Sequence, residues 1–405
     1  MARLFTRFSP SEKPLLFTGA GSTIRMASLV RESGYKRPLL ITGATLLKRG
    51  HLDNLLSHFE TEGLQVAIFD GIPPNPTDEV IRDGVKAVAQ SNCDCLFVVG
   101  GGSAIDAAKV IAACCTNNFK VENAVGLLKV KTPTLPCYVA PTTSGTGSEV
   151  TNAAVISDSR THQKKFVIDP KLIPMAAALD PLLLKSLPQR ITAETGMDAL
   201  THAIEAYTSL NQFNDAERDA ELAVKLLIRH LPRAYENGDN LESREWVAMA
   251  SFLAGAAFNK SGLGYVHAIS HQISAHYNTS HGLANAVLLT RVMRFNKPAC
   301  AHRLAALERI LGGEASGDNE TLADQFIERI EKLSDQIGIP RKIEGIKSTD
   351  LDTITTNALR EAKWSYAVPR LMNRAACNKI LMSMIKFSCV MPGSESPQKT
   401  KAHSS

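Results

Sequence analysis

The pattern of apolar residues changes near residue 188, and this change limits the possible folds more than any other feature. Before it, short apolar runs alternate with helical stretches, which predicts an open, largely parallel sheet covered by helices. The candidate strands are Pro38–Ile41, Gln65–Phe69, Cys95–Val99 and Cys137–Ala140. After it, strand patterns stop and long amphipathic helices follow. The clearest of these are Thr192–Leu210, Asn214–Ala234, Ser243–Asn259 and Asn319–Ile337.

A chain of 405 residues exceeds the usual size of a single hydrophobic core, so we expect two domains. The pattern predicts an α/β N-terminal dinucleotide-binding domain with a parallel sheet at 1–187. It predicts an all-α C-terminal metal-binding domain at 188–390. The remaining stretch, 391–405, is rich in proline, serine and lysine, and we expect it to be a disordered tail.

Composition excludes several classes of protein. The net charge of +5 is small and scattered, which argues against a nucleic-acid partner. The sequence has no run of eighteen apolar residues, so we expect no membrane span. The eight cysteines have neither zinc-ribbon nor C-x-x-C spacing, and Cys95 and Cys137 lie in apolar strands as small buried side chains. A reducing, cytoplasmic location is therefore the expectation.

A carboxylate and several histidines recur at helical spacing in the second half of the chain. Asp198 and His202 are four residues apart, so they lie on one face of a predicted helix. His267 and His271 repeat this spacing, and His281 follows a helix-breaking stretch. His276, nine residues after His267, points to the opposite side and is expected to be structural. One carboxylate with three neutral imidazoles suits a divalent ion such as Fe(II) or Zn(II).

Two polar loops in the first half follow predicted strands. In the first, Gly100, Gly101, Gly102 and Ser103 form a glycine turn that opens a helix. Glycines let the backbone approach a pyrophosphate, and free helix N–H groups bind the anion. The spacing differs from G-x-G-x-x-G, and each loop alone is a weak signal.

The second loop crowds hydroxyls and glycines after the Cys137–Ala140 strand. Its candidate residues are Thr142, Thr143, Thr146 and Ser148. Two such strand ends together favour a dinucleotide site over two ordinary polar loops. A third strand ends at Gly43, where a carboxylate would bind the ribose 2′-hydroxyl and repel a 2′-phosphate. Gly43 does neither, and Lys48 and Arg49 follow closely.

Taken together, these motifs resemble those of the iron-containing (group III) alcohol dehydrogenase family. The matching segments are 74–77, 100–109, 142–149, 196–207, 262–267 and 277–282, with His271 between the last two. The resemblance implies an α/β dinucleotide domain and a helical metal domain. It also implies NAD(P)-linked alcohol oxidation or aldehyde reduction by hydride transfer, a small alcohol or aldehyde as substrate, and a homodimer.

The resemblance also implies roles for individual residues. The metal ligands would be Asp198, His202, His267 and His281, binding Fe²⁺ or possibly Zn²⁺. His271 would be the catalytic residue that carries a proton without binding the metal. The cofactor residues would be Gly43, Asn75, Gly100, Gly101, Gly102, Ser103, Asp106, Thr142, Thr143, Thr146, Ser148 and Lys165, with Lys164 as the alternative to Lys165. The substrate pocket would be lined by Ala153, Phe258 and Trp364.

Some departures and alternatives stay open at this point. Many relatives have aspartate where this chain has Gly43, so the sequence favours NADP or dual use over NAD alone. Glu205 shares a helix face with His202 and is expected either to orient that imidazole or to be a solvated charge. The alternatives are a polyol or hydroxy-acid dehydrogenase or a sugar-phosphate cyclase on the same scaffold. A more distant one is a non-catalytic metal or nucleotide sensor.

Overall fold

In the computed structural model, which describes residues 12–161, 163–185, 187–312 and 316–385, the strands come first and long helices follow. The strands are β1 (Leu15–Thr18), β2 (Pro38–Thr42), β3 (Ala67–Phe69), β4 (Cys95–Gly100), β5 (Gly126–Leu127), β6 (Cys137–Pro141), β7 (Ala153–Ser157), β8 (Lys164–Ile168) and β9 (Ala176–Leu179). The helices among them are α1 (Ser22–Glu32), α2 (Ala44–Lys48), α3 (Asp53–Thr61), α4 (Asp78–Gln90), α5 (Gly102–Asn117), α6 (Val121–Ala124) and α7 (Pro181–Leu184). The later helices are α8 (Gln189–Thr208), α9 (Asn214–Glu236), α10 (Leu241–Ser261), α11 (Tyr265–Tyr277), α12 (His281–Ile310), α13 (Asn319–Gln336), α14 (Leu351–Ser365) and α15 (Arg374–Met384).

Six strands form one parallel sheet in the order β1-β9-β6-β4-β2-β3. The four strands expected from the sequence are β2, β3, β4 and β6, and all four are confirmed. The carboxyl ends of β6, β4 and β2 are adjacent at one edge, where strand order reverses and ligands bind in open α/β sheets. A smaller sheet, β5-β8-β7, contains an antiparallel β7–β8 pair.

The helical part is organised around α8. Nearly every residue of α8 from Thr192 to Thr208 is buried, because apolar and small side chains surround the helix on all sides. Helices α9, α10 and α12 pack against it. The predicted helices correspond to α8, α9, α10 and α13, so the α/β-then-helical fold class is confirmed. Among the described residues, no helix is both long and apolar enough to cross a membrane.

Helix α10 joins the two parts of the structure. Its Ala248 and Phe252 belong to the hydrophobic core of the α/β part, whereas Ala250 and Ala254 belong to the helical core. The expected domain boundary at residue 187 stays a prediction. The expected disordered tail, 391–405, lies outside the described residues.

The loop after β6 packs directly on α10 through two glycines. Gly147 has a φ of +63°, and a Cβ on it would lie 2.6 Å from the Cα of Gly255. That distance is too short for any side chain, and the approach is backbone to backbone. The glycine pair therefore fixes how closely this loop sits on the helical part.

We predict that Gly147→Ala lowers the melting temperature more than Gly34→Ala does. Gly34 has a φ of +88° with nothing within 4 Å of its Cβ position, so its substitution strains only the backbone. At Gly147 the added methyl group would also be too close to Gly255, and such overpacking typically costs about 1–3 kcal/mol. Thermal unfolding of both variants beside the parent chain measures the difference. Equal losses at the two positions would contradict a close loop–helix contact.

Candidate metal centre and dinucleotide cleft

Three helices bring a carboxylate and two imidazoles to one point. Asp198 lies on α8, His267 on α11, and His281 is the first residue of α12. One potential ligand atom from each lies within 4.8 Å of the other two. Asp198 and His267 are buried, while the side chain of His281 is 35% exposed. Asp198 and His267 are therefore enclosed, and His281 is the most accessible of the three.

Asn285, one turn after His281, shows how closely these atoms converge. Its amide nitrogen lies 2.6 Å from Asp198 Oδ1, 3.2 Å from His267 Nε2 and 3.1 Å from His281 Nε2. An amide NH₂ group has two hydrogens, so it cannot donate to three acceptors at once. Three converging lone pairs of this O/N type match the ligands of a divalent cation, and the residues fit a metal. Asn285 is not among the residues predicted from the sequence, although its i+4 spacing from His281 could have indicated it.

His202 lies against this group of three but is not part of it. Its ring stacks on that of His267, with centroids 4.6 Å apart, and on Phe258 at 4.3 Å. Its Nδ1–H donates to the carbonyl oxygen of Gly145, 3.1 Å away. A carbonyl can only accept, so the proton is on Nδ1 and the lone pair is on Nε2, the nitrogen available to a metal.

Glu205 holds His267 and not His202, so the expectation from the sequence is wrong. Its carboxylate accepts a hydrogen bond from His267 Nδ1 at 2.6 Å and from the backbone N–H groups of Gly264 and Val266. The partner differs because the Gly145 carbonyl already occupies His202 Nδ1. Glu205 is also buried, which excludes a solvated charge. It fixes both the start of α11 and the tautomer of His267.

Burial and charge act in opposite directions on these groups. Burial alone would raise the pKa of Asp198, but His202, His281 and His267 lower it. Burial would lower the pKa of His267, but hydrogen bonds to Asp198 and Glu205 raise it to about 9. Burial lowers the pKa of His202 to about 4 and that of His281 to about 3. The carboxylates of Asp198 and Glu205 therefore favour a positive charge at the point where the potential ligand atoms converge.

His271 lies beside the group, and its side chain is 17% exposed. Its ring stacks on His281 with centroids 5.2 Å apart, and Phe166 of β8 lies 5.9 Å away. The Nδ1–H of His271 donates to Glu361 on α14 at 2.7 Å. As predicted, His276 points away and is exposed, with its Nδ1 bonded to the Gln272 carbonyl.

The structure brings the expected cofactor loops together at one edge of the sheet. Gly43 follows β2, Gly100–Ser103 ends β4 and begins α5, and Thr142–Ser148 follows β6. A Cβ on Gly102 would lie 2.7 Å from the Thr146 side chain, so the last two loops are in contact. No side chain caps the start of α5 at Gly101, which leaves its N–H groups for an anion. Asp106 lies one turn further on, where its Oδ2 accepts the Val155 N–H.

Lys165 is not brought to this cleft, but its neighbour Lys164 is. Successive side chains of a strand point to opposite faces, and β8 puts Lys164 and Phe166 on one side. Lys164 Nζ donates to the Asn75 side chain, while Lys165 forms an ion pair with Asp158 at 2.5 Å on the outer face. Of the two lysines left open by the sequence, the alternative one therefore lies with the other cofactor residues.

The three expected pocket residues differ in position. Phe258 stacks on His202, so it forms a wall beside the metal group. Ala153 begins β7, and its carbonyl accepts a hydrogen bond from the buried Lys109 at 2.9 Å. Trp364 is 76% exposed at the end of α14, and its ring contacts Lys363. Trp364 is therefore largely exposed to solvent and is not a buried wall of a pocket.

Comparison with known proteins gives matches over almost the whole described chain. The family model "Iron-containing alcohol dehydrogenase" matches residues 14–181, and the C-terminal model of the Fe-containing alcohol dehydrogenase family matches 192–385. The NAD-dependent methanol dehydrogenase of Bacillus methanolicus is 37% identical over 351 residues, 86% of this chain and 92% of that protein. The 1,3-propanediol dehydrogenase of Citrobacter freundii is 38% identical over 345 residues, which is 84% of this chain and 89% of that protein. A solved 1,3-propanediol oxidoreductase superposes with a TM-score of 0.88 at 36% identity, covering 91% of this chain and 98% of that one.

We predict that Glu205→Gln weakens metal binding about 10- to 100-fold, the usual effect of losing the carboxylate behind a ligating histidine. The amide keeps the size but removes the charge that holds His267 Nδ1–H. Competition with a chromogenic chelator measures the metal affinity. Glu221→Gln, whose carboxylate accepts from Tyr207 and touches no histidine of the site, is the control. Equal affinities in the two variants would contradict this role of Glu205.

Proposed function

Because the chain belongs to the iron-containing alcohol dehydrogenase family, we propose that Asp198, His202, His267 and His281 bind a divalent metal in its active site. The protein is an oxidoreductase that interconverts alcohols and aldehydes with NAD-type cofactors. The observation that supports the metal proposal is that Asp198 Oδ1, His267 Nε2 and His281 Nε2 all converge on the Asn285 amide nitrogen. Fe(II) is the first choice and Zn(II) the second, since this O/N ligand set accepts both ions.

The reaction divides between bound groups and the residues of the chain. When bound, the metal supplies Lewis-acid polarisation of the substrate oxygen and the nicotinamide accepts or donates the hydride. Glu205 and the Gly145 carbonyl orient His267 and His202 through Nδ1, so Nε2 of each is the nitrogen left for the metal. His271, 17% exposed and stacked on His281, exchanges the hydroxyl proton of the substrate with solvent.

We place the dinucleotide along the carboxyl edge of the parallel sheet. The glycine turn at 100–103 and the loop at 142–148 hold the phosphates, and their mutual contact supports this assignment. Asn75 and Asp106 lie on the same cleft. We assign Lys164, the alternative that the resemblance left open, to the cofactor in place of Lys165, because its side chain donates a hydrogen bond to Asn75.

We propose NADP, or both NADP and NAD, as the cofactor. Gly43 carries no carboxylate that would repel a 2′-phosphate, and the space around its Cβ position is open to 4 Å. Lys48 and Arg49 at the end of α2 add positive charge nearby.

A small alcohol or aldehyde is the proposed substrate, held between Ala153 and Phe258 with Trp364 at the rim.

We also propose a homodimer, supported by β1, which pairs on one side with β9 and forms an edge of the described sheet. A cytoplasmic location is proposed because the seven cysteines in the described residues are free thiols.

The proposed function predicts metal-dependent oxidation of NADPH or NADH by short aldehydes. The assay is anaerobic: activity is measured as isolated, after chelation, and after adding back Fe(II) or Zn(II). We expect loss on chelation and recovery with at least one ion, and His267→Ala should neither recover nor hold the metal. Turnover that survives complete metal removal would overturn the metal proposal. Cofactor binding without turnover of any aldehyde would favour the sensor.

We predict that Gly43→Asp lowers the preference for NADPH over NADH by about tenfold or more. A tenfold change corresponds to about 1.4 kcal/mol, less than the repulsion between like charges a few ångströms apart near a protein surface. Gly43→Ala is the control, because it adds the Cβ without the charge. The ratio of kcat/KM for the two cofactors is measured in all three proteins. If Gly43→Asp and Gly43→Ala give the same ratio, the ribose does not lie at Gly43.

A further inference from the structure

We propose that Glu361 is a positioning residue that acts through His271, fixing the ring and tautomer that this histidine needs for proton transfer. The inference rests on the proposed function, in which His271 carries the proton. It assigns a role to a carboxylate 90 positions away in the sequence, on a different helix.

Three hydrogen-bond donors converge on the Glu361 carboxylate. His271 Nδ1–H donates to Oε1 at 2.7 Å, and the Tyr366 hydroxyl donates to the same oxygen at 2.6 Å. Gln272 Nε2 donates to Oε2 at 3.0 Å. Both oxygens are therefore used, and the carboxylate cannot turn away from the histidine without breaking a bond on each side.

The charges of this cluster agree with its geometry. Burial alone would raise the pKa of Glu361, but the hydrogen bonds from His271 and Tyr366 lower it. Burial and the adjacent Glu361 raise the pKa of Tyr366 well above its ordinary value, so the tyrosine stays a donor. An ionised carboxylate has no hydrogen to donate. The hydrogen shared with His271 therefore belongs to Nδ1, and Nε2 carries the lone pair.

The ring of His271 also has two aromatic neighbours that restrict it. The imidazole of His281 stacks on it with an angle of 15° between planes, and Phe166 lies on the cleft side of β8. These neighbours still allow the ring to rotate by half a turn, and the hydrogen bond to Glu361 restricts that rotation. Without the carboxylate, either nitrogen of His271 could carry the proton.

This arrangement gives a balanced proton step. In alcohol oxidation the O–H bond breaks and its proton bonds to the lone pair of His271 Nε2. The electron pair of that O–H bond becomes the second bond of the carbonyl as the C–H bond breaks, and the oxidised nicotinamide, when bound, would accept the hydride. The His271 imidazolium is then countered by the Glu361 carboxylate, as the aspartate of a Ser-His-Asp triad counters its histidine. Reduction of an aldehyde runs the same steps in reverse.

A purely structural role is the rival interpretation, because Glu361 also joins α14 to α11. The chain offers a matched control: Asp350, just before α14, accepts from Tyr277 at the other end of α11. Asp350→Asn removes a carboxylate–tyrosine contact from the same region without touching a histidine of the site. It should change stability and leave the proton step as it is.

A double-mutant cycle on the metal-loaded enzyme tests whether Glu361 acts through His271. General acid–base catalysis contributes about 10²–10⁴-fold, so we expect His271→Ala to lower kcat by about 10²-fold or more. We expect Glu361→Gln to lower kcat about tenfold, which is part of the loss in His271→Ala. Its solvent deuterium isotope effect should be larger than that of the parent chain, and its KM for the cofactor should be unchanged. In the His271→Ala background Glu361→Gln should have no further effect. An equal loss in both backgrounds would overturn the proposal.

A second measurement does not depend on turnover. The zinc-loaded protein, labelled with ¹⁵N-histidine, gives the tautomer of His271, assigned by its absence from the His271→Ala spectrum. We expect the Nδ1–H form in the parent chain and in Asp350→Asn, and a mixture of tautomers in Glu361→Ala. An unchanged tautomer in Glu361→Ala would overturn the positioning role. If the parent chain reduces no aldehyde, the proposed function fails while this spectrum still decides the role of Glu361.

Discussion

The buried carboxylates of α8 are the constraint on which the rest of the structure depends. Asp198 and Glu205 lie on α8, where nearly every residue from Thr192 to Thr208 is buried and an uncompensated charge would be strongly destabilising. Both point at His267, so α11 must cross α8 at that residue. The start of α12 is then fixed by His281, whose Nε2 lies 3.7 Å from Asp198. A divalent cation would compensate the remaining charge, which links metal binding to the packing of the whole helical part.

One hydrogen bond ties this helical centre to the dinucleotide loops. The Gly145 carbonyl comes from the loop after β6, yet it orients His202 on α8. No side chain could replace hydrogen at Gly145, because a Cβ would lie 2.8 Å from the backbone oxygen of Thr195. With Gly147 against Gly255, the loop also approaches α10 backbone to backbone. The groups proposed to bind cofactor and metal are therefore held at a fixed separation, which hydride transfer needs.

Sequence patterns correctly predicted the strands and helices whose formation depends mainly on residues close together in the sequence. Strong periodicity identified β2, β4, β6 and the long helices, and helical spacing separated His271 from His276. The β7–β8 hairpin was missed because its stability comes from pairing and from Lys109 beneath it. Hydrogen-bond partners were least predictable. Glu205 reaches His267 across 62 positions, and Asn285 and Glu361 matter only because separate helices meet.

Two carboxylate–imidazole pairs in one site show how burial can separate the roles of identical groups. Glu205–His267 and Glu361–His271 have nearly equal distances, 2.6 and 2.7 Å, and both put the hydrogen on Nδ1. The side chain of His267 is 1% exposed, so a proton on it has no route to water. That of His271 is 17% exposed. The first imidazole is enclosed and suits a metal ligand, whereas the second can exchange its proton with solvent. Exposure therefore distinguishes His267 from His271, whereas the more exposed His281 is placed among the proposed ligands by its distance of 3.7 Å from Asp198.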